Sequence, residues 1–170
     1  WLCRITAGPQ MYGEEQVAAR PDLASELRLT ERISGRVAKL FSATGFPLTP
    51  DYIEPLQLVR YQPGERFAPH HDYHEVAESS IQGEQRAFTV LIFGSTFSST
   101  DDGGETHFPH LGVSVWPRKG DALVWSNVDD EGEPNPRSQH EGRPPVNGVK
   151  VAINCWIANT PYDVSRGLRK

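Results

Sequence analysis

A chain of 170 residues is the size of one domain and can bury a working core without help from disulfides or a structural metal. Its 14 prolines and 15 glycines, beside 37% hydrophobic residues, are high for a helical bundle and ordinary for short strands joined by turns, so a β-rich fold is expected. A formal net charge of -5 and a pI near 5.7, with no long Lys/Arg cluster, exclude the footprint of a phosphate-backbone binder, and the longest apolar run, Phe88 to Phe93, is far shorter than the roughly 18 residues of a membrane span.

The opening residues, Trp1-Leu2-Cys3-Arg4, carry no basic segment followed by an apolar stretch and no initiator Met, so they do not read as a signal peptide and the chain reads as a fragment lacking its N-terminal part. Two cysteines, Cys3 and Cys155, are too few for a disulfide framework and leave the compartment open. A weak helical piece is expected near Glu14 to Arg20, ended by Pro21. From Thr30 to Thr44, Ile33, Val37, Leu40 and Phe41 fall at i, i+4, i+7 and i+8, and Gly45 and Pro47 follow as stop signals; this predicts a helix packed on a sheet.

After Pro55 the texture changes to short β-prone runs: Leu56 to Tyr61, Phe88 to Phe93, Val113 to Trp116, Asp121 to Trp125 and Val149 to Ile157. Such spacing suits a sandwich or jelly-roll barrel. The stretches Glu75 to Glu84, Ser95 to Gly104 and Asp129 to Asn147 are polar, rich in Gly, Pro, Ser and Asp, and read as loops within one domain; there is no internal repeat. The expected organisation is a single domain over 1–170, with a helical support region over 1–50 and a strand core over 51–160.

In His70-His71-Asp72 an imidazole and a carboxylate two residues apart on an extended strand point to the same side, with backbones about 6 to 7 Å apart. Neutral nitrogen plus hard oxygen suits a divalent iron with open positions if a second histidine arrives from elsewhere, and His140, after the turn-rich Pro134 to Arg137, is the natural candidate. Alone, a His-x-Asp pair recurs by chance, and a loop histidine is ordinarily just solvated. His71 points the other way, and His74, His107 and His110 read as loop or surface residues.

The stronger signal lies in Val149 to Trp156, where alternation separates Val149, Val151, Ile153 and Cys155 from Lys150, Ala152, Asn154 and Trp156. The bland reading is a half-buried strand whose polar face meets water. In a barrel with a metal at its mouth the polar face turns inward, where Lys150 is costly without a paired anion, and a dicarboxylate co-substrate would supply one.

Taken in order, Tyr61-x-x-Gly64-x-x-Phe67-x-Pro69-His70-x-Asp72-Tyr73, Gly103-Gly104-Glu105-Thr106-x-Phe108-Pro109, Pro117-x-x-Gly120-Asp121-Ala122, His140, Lys150 and Trp156 resemble prolyl 4-hydroxylase catalytic domains of the iron(II)/2-oxoglutarate dioxygenase superfamily. The resemblance covers about Leu56 to Ile157. It implies a β-rich α+β fold, a double-stranded β-helix or jelly roll with N-terminal helices packed on one sheet. It implies that His70, Asp72 and His140 bind iron(II), that Lys150 pairs with the distal carboxylate of 2-oxoglutarate, and that Tyr61 and Thr106 hydrogen-bond that co-substrate. Arg86 and Trp156 would line the place of the target proline, with Gly103 and Gly104 in a tight turn. The implied reaction uses O2, with ascorbate, to hydroxylate a peptidyl proline at C4 while 2-oxoglutarate becomes succinate and CO2. A proline-containing peptide or protein is the implied partner, with no nucleic acid and no membrane contact; the endoplasmic reticulum lumen is the implied compartment, or the cytoplasm in a bacterium.

Three departures bear on the substrate. Phe67 stands where the family commonly has Tyr, Thr89 to Gly94 stands where relatives carry a Tyr-Leu-Asn segment, and the Ser/Thr-rich loop Ser95 to Asp102 is expected to be mobile, as a lid. The same chemistry on a free amino acid or small metabolite is one rival reading. A non-catalytic β-barrel binding module in which His70 and Asp72 are remnants or hold zinc is another, and a fourth protein ligand near His140 would support it.

Overall fold

Pro21 opens a helix where the sequence suggested it would close one. The computed structural model describes the backbone of residues 2–4, 19–74, 85–97, 100–163 and 168–169, and side chains over 19–74, 85–97 and 101–161. The helical piece expected over Glu14 to Arg20 lies almost wholly outside these residues. Helix α1 spans Pro21–Ala43, beginning well ahead of the predicted Thr30. Proline at the first helical position needs no N–H partner and arrives with its φ already helical, so here it is a start signal. Asp22 in the first turn complements the helix dipole and accepts from Arg20 at 2.6 Å. The helix ends where Thr44 N–H donates to Phe41 O and Gly45 takes a left-handed φ of 87°.

The buried stripe is Leu23, Leu27, Thr30, Val37, Ala38 and Phe41. Leu40, counted into the predicted stripe, is 53% exposed, because the spacing from Phe41 back through Ala38 and Val37 turns Leu40 to solvent. Among the described residues no helix is long and apolar enough to cross a membrane.

Among the described residues, eleven strands follow or flank this helix: β1 (Leu2–Arg4), β2 (Gln57–Tyr61), β3 (Phe67–His70), β4 (Arg86–Phe93), β5 (Thr106–Phe108), β6 (Val113–Val115), β7 (Ala122–Ser126), β8 (His140–Gly142), β9 (Lys150–Ala158), β10 (Tyr162–Asp163) and β11 (Leu168–Arg169). They form a five-stranded sheet ordered β1-β2-β9-β4-β7, a four-stranded sheet ordered β3-β8-β5-β6 and the small β10-β11 pair, and the pairings are antiparallel. This is the expected jelly-roll architecture with helical support.

All five predicted strands are present within a residue or two at each end. Leu2–Arg4, assigned to the helical region, instead adds an edge strand to β2. The stretch 129–147, read as loop, holds β8 and a 3-10 turn at Pro136–Ser138.

The five-stranded sheet has two working faces. Outward, Val90, Cys155 and Ile157 pack with Val37, Ala38 and Phe41 of α1 and with Leu48, Ile53 and Leu56. Inward, Val59, Leu91, Phe93 and Ala152 face the second sheet. Phe41 is the keystone of the outer layer, edge-on to Phe88 at 5.3 Å and to Phe46 at 6.2 Å. Phe41→Ala should therefore cost about 3 to 5 kcal/mol, read as a lower midpoint in a denaturant melt. A loss below about 1 kcal/mol would mean that the helix is not held through this contact.

Candidate metal and co-substrate site

The inner faces of the two sheets bring the predicted chemistry together. β3 and β8 pair so that His70 and His140 are direct cross-strand partners, and Asp72 follows just beyond the end of β3. Their ligand atoms lie within 4.8 Å of one another, the only such group of three or more among the described residues. His70 Nε2 is 3.7 Å from Asp72 Oδ1 and His140 Nε2 is 3.7 Å from Asp72 Oδ2. His71, His74, His107 and His110 are not part of it; His71 stacks on Tyr73 and His107 Nδ1 meets Ser114 Oγ.

The donor set fits a divalent cation. Both Nδ1 atoms are committed to main-chain carbonyls, His70 to Ala68 O at 2.8 Å and His140 to Ser138 O at 3.0 Å. A carbonyl only accepts, so each Nδ1 carries the proton and each Nε2 presents a lone pair toward Asp72. Burial, and then the neighbouring His140, push the His70 imidazole down to about 4, so it is a neutral donor at physiological pH. Phe67 closes edge-on over His70 at 3.9 Å, while Trp125 and Phe108 flank His140 at 4.7 and 5.7 Å. No fourth protein ligand joins the three among the described residues, so the arrangement is an open site, unlike a closed zinc tetrahedron.

A pocket open to solvent at its mouth is lined by His70 and His140 together with Tyr61, Thr106, Gly142, Lys150 and Asn154. Lys150 is 2% exposed, so the alternation read from the strand holds, with the polar face turned inward. Its Nζ is 3.4 Å from Glu105 O and 3.5 Å from Thr106 Oγ1, both long, and it makes no ion pair among the described residues. The Glu105 carboxylate instead accepts from Arg143 at 3.2 Å.

Burial lowers the Lys150 ammonium to about 8, against the raising effect of Glu105. Tyr61, paired with Lys150 across β2 and β9, is pushed up to about 12 by burial and then by the Asp72 charge, so its hydroxyl stays a donor. A Cβ at Gly142 would sit 3.8 Å from both Lys150 Nζ and Tyr61 Oη, so its absence preserves the space between these donors. One buried ammonium and two hydroxyls converging on a polar recess form an anion receptor.

Arg86 and Trp156 come together but do not line this pocket. The guanidinium lies 3.9 Å over the Trp156 ring, is gripped by both oxygens of Glu54 at 2.7 and 2.9 Å, and reaches Asp72 O at 3.4 Å. Trp156 Nε1 is buried with no acceptor among the described residues. Gly103 and Gly104 do take left-handed φ values of 64° and 78°, and a side chain at Gly103 would collide with Pro144 O.

The loop expected to be mobile is tied down in part: Ser95 Oγ accepts from Val151 N at 3.0 Å, Phe97 N donates to Pro117 O and Val146 N donates to Asp102 O. Residues 75–84, read from the sequence as a loop, lie outside the described residues. Sequence reasoning missed Thr89, Asn127, Glu54 and Trp125, since each acts through a partner distant in the chain.

A family model described as the 2OG-Fe(II) oxygenase superfamily matches residues 56–158. The chain is 34% identical to prolyl 4-hydroxylase 13 of Arabidopsis thaliana over 140 residues, 74% of this chain and 49% of that protein. It is 35% identical to prolyl 4-hydroxylase subunit alpha-2 of Caenorhabditis elegans over 117 residues, 66% of this chain and 21% of that protein. It therefore spans half or less of these curated relatives. Among solved structures, the viral collagen prolyl hydroxylase from Paramecium Bursaria Chlorella virus-1 in its 2OG complex shares the fold at a TM-score of 0.65 and 23% identity, over 78% of this chain and 74% of that one.

Proposed function

This chain belongs to the 2OG-Fe(II) oxygenase superfamily, and from that premise we propose that it hydroxylates a peptidyl proline, at C4, using iron(II), 2-oxoglutarate and O2, with ascorbate keeping the metal ferrous. The observation that carries this reading is the coexistence, in one pocket, of an open two-histidine, one-carboxylate site and a buried lysine with no counter-ion among the described residues. His70, Asp72 and His140 would hold the iron. Lys150, Tyr61 and Thr106 would receive the 2-oxoglutarate. When bound, the iron supplies the activation of oxygen that couples decarboxylation of the keto acid to attack on an unactivated carbon.

The protein's own residues bind, orient and exclude water. Lys150 neutralises the distal carboxylate, and Tyr61 and Thr106 donate to it, so the keto end of a five-carbon diacid is turned toward the histidines. Trp125, Phe108 and Leu91 keep the wall beside His140 apolar. Arg86, immobilised by Glu54, and Trp156 beneath its guanidinium would frame the peptide. The names of the relatives favour proline as the residue modified.

Incubation with iron(II), ascorbate, 2-oxoglutarate and a panel of proline-rich peptides should give a mass gain of one oxygen atom, dependent on 2-oxoglutarate, with 4-hydroxyproline on amino-acid analysis. Gain only on free amino acids would replace the peptide reading with the small-molecule one. Succinate formation absent under every condition would remove the oxygenase activity itself.

A further inference from the structure

We infer that Thr89 and Asn127 are positioning residues that hold Asp72 as a one-oxygen ligand, and so keep coordination positions free for co-substrate and oxygen. The inference rests on the metal reading proposed above. Thr89 lies on β4, 0% exposed, in a run otherwise made of Val90, Leu91, Ile92 and Phe93, where a valine would fill the same volume and suit a strand better. A hydroxyl buried there is costly unless both of its hydrogen-bonding capacities are used, and they are. Thr89 Oγ1 is 2.7 Å from Asp72 Oδ2 and 2.9 Å from Asn127 Nδ2.

The direction of this chain follows from the chemistry. An ionised carboxylate only accepts, so the single hydroxyl hydrogen of Thr89 goes to Asp72, and the Thr89 oxygen is left to accept from the Asn127 amide. Asn127, also 0% exposed, is fixed through its main chain, whose N–H donates to Ala87 O at 2.8 Å and whose carbonyl accepts from Asn135 N at 3.0 Å. The relay therefore runs one way, from a main-chain-anchored amide through a hydroxyl to a metal-facing carboxylate.

Its effect is to make the two oxygens of Asp72 unequal. Each stands 3.7 Å from one histidine Nε2, so the histidines alone do not distinguish them. The hydroxyl does: Oδ2 spends a lone pair on a short charge-assisted bond, and Oδ1 is left as the stronger donor. Without the hydroxyl the carboxylate is free to rotate and to close both oxygens on the cation, which takes a position that reactants need and loosens the ligand's orientation.

The test titrates the whole chain, freed of metal, with Mn(II), reading affinity by calorimetry and the water-proton relaxation enhancement per bound ion, which reports positions open to exchange. Thr89→Val should weaken Mn(II) binding by about 10- to 100-fold and lower the enhancement per bound ion, with Thr89→Ser restoring both. Asn127→Ala, which leaves the Thr89 hydroxyl without its orienting donor, should move both readouts the same way by less, and serves if Thr89→Val does not fold. Wild-type values of both readouts in folded Thr89→Val, or in Asn127→Ala, overturn the inference, as does Thr89→Ser behaving like Thr89→Val. A wild-type chain that binds no Mn(II) overturns the metal reading itself, a failure visible before any variant is made.

Discussion

His140→Ala should abolish 2-oxoglutarate turnover and reduce affinity for iron(II) by on the order of 100-fold or more, a larger loss than removal of an outer hydrogen-bond partner brings. The reason is that the structure spends much of its local order on this one ring. It is 6% exposed, held at Nδ1 by Ser138 O, and wedged between Trp125 and Phe108, so Nε2 has essentially one direction in which to point. Removing it leaves two anchors, one of them the more exposed His70, and opens a hole beside the indole that water enters. His70→Ala and Asp72→Ala should do the same. His71→Ala should retain the metal, since His71 stacks on Tyr73 and stands outside the ligand group. Turnover surviving in His140→Ala would sink the triad, and metal loss in His71→Ala would move it by one residue. Calorimetric iron titration of each variant, alongside succinate release, separates lost binding from lost chemistry.

What could be read from the sequence and what could not divide along a physical line. Long strands buried on both faces, such as β4 and β9, announce themselves by β-branched and apolar runs, and the inward Lys150 could be picked out because a period of two sorts every residue of β9 onto one face or the other. The second sheet was nearly silent. β3, β5 and β8 are three or four residues long, and β3 is mostly exposed, so neither alternation nor hydrophobicity marks them, although they carry both histidines and Thr106.

The three candidate ligands were recognisable because His and Asp are chemically rare at such spacing in an ordered series of motifs. Their supports were not. Thr89 reads as an ordinary strand residue until Asp72, 17 positions away, is seen beside it, and Glu54 reads as a loop acid until Arg86, 32 positions on, closes over it. Pro21 shows the opposite failure: a local rule applied with the wrong polarity, since proline ends one helix by the same geometry with which it begins another.

Lys150→Ala should raise the KM for 2-oxoglutarate roughly 10- to 100-fold while altering peptide KM little, because a charge-assisted partner of about 1.5 to 3 kcal/mol is lost from a site that water cannot easily refill. Among the described residues no other cation lines the pocket. Arg143 is the nearest alternative cation in sequence, but its side chain is 42% exposed and already paired with Glu105 and Glu141. Lys150→Arg should rescue poorly, since a planar fork does not fit the recess built for a compact ammonium between Tyr61 and Thr106.

The pH dependence carries a sign that tests the same point. Burial favours the neutral amine, so in the free protein Lys150 loses its proton near 8 instead of 10.5. Because the unfolded chain then holds more protons between those values, this group makes the free fold more stable as pH rises through that window. Co-substrate binding has the opposite sign: the dianion needs the ammonium, so its KM should climb above about pH 8, approaching tenfold per unit, and the climb should vanish in Lys150→Ala and Lys150→Arg. Trp156→Ala, on the same strand face but about 20 Å along it, should instead raise the peptide KM and leave the 2-oxoglutarate profile in place. A 2-oxoglutarate KM that is flat with pH in the wild type and unmoved in Lys150→Ala would put the anchor elsewhere. It would leave a buried ammonium with no partner and no task, the arrangement that the desolvation cost of a charge makes hardest to sustain.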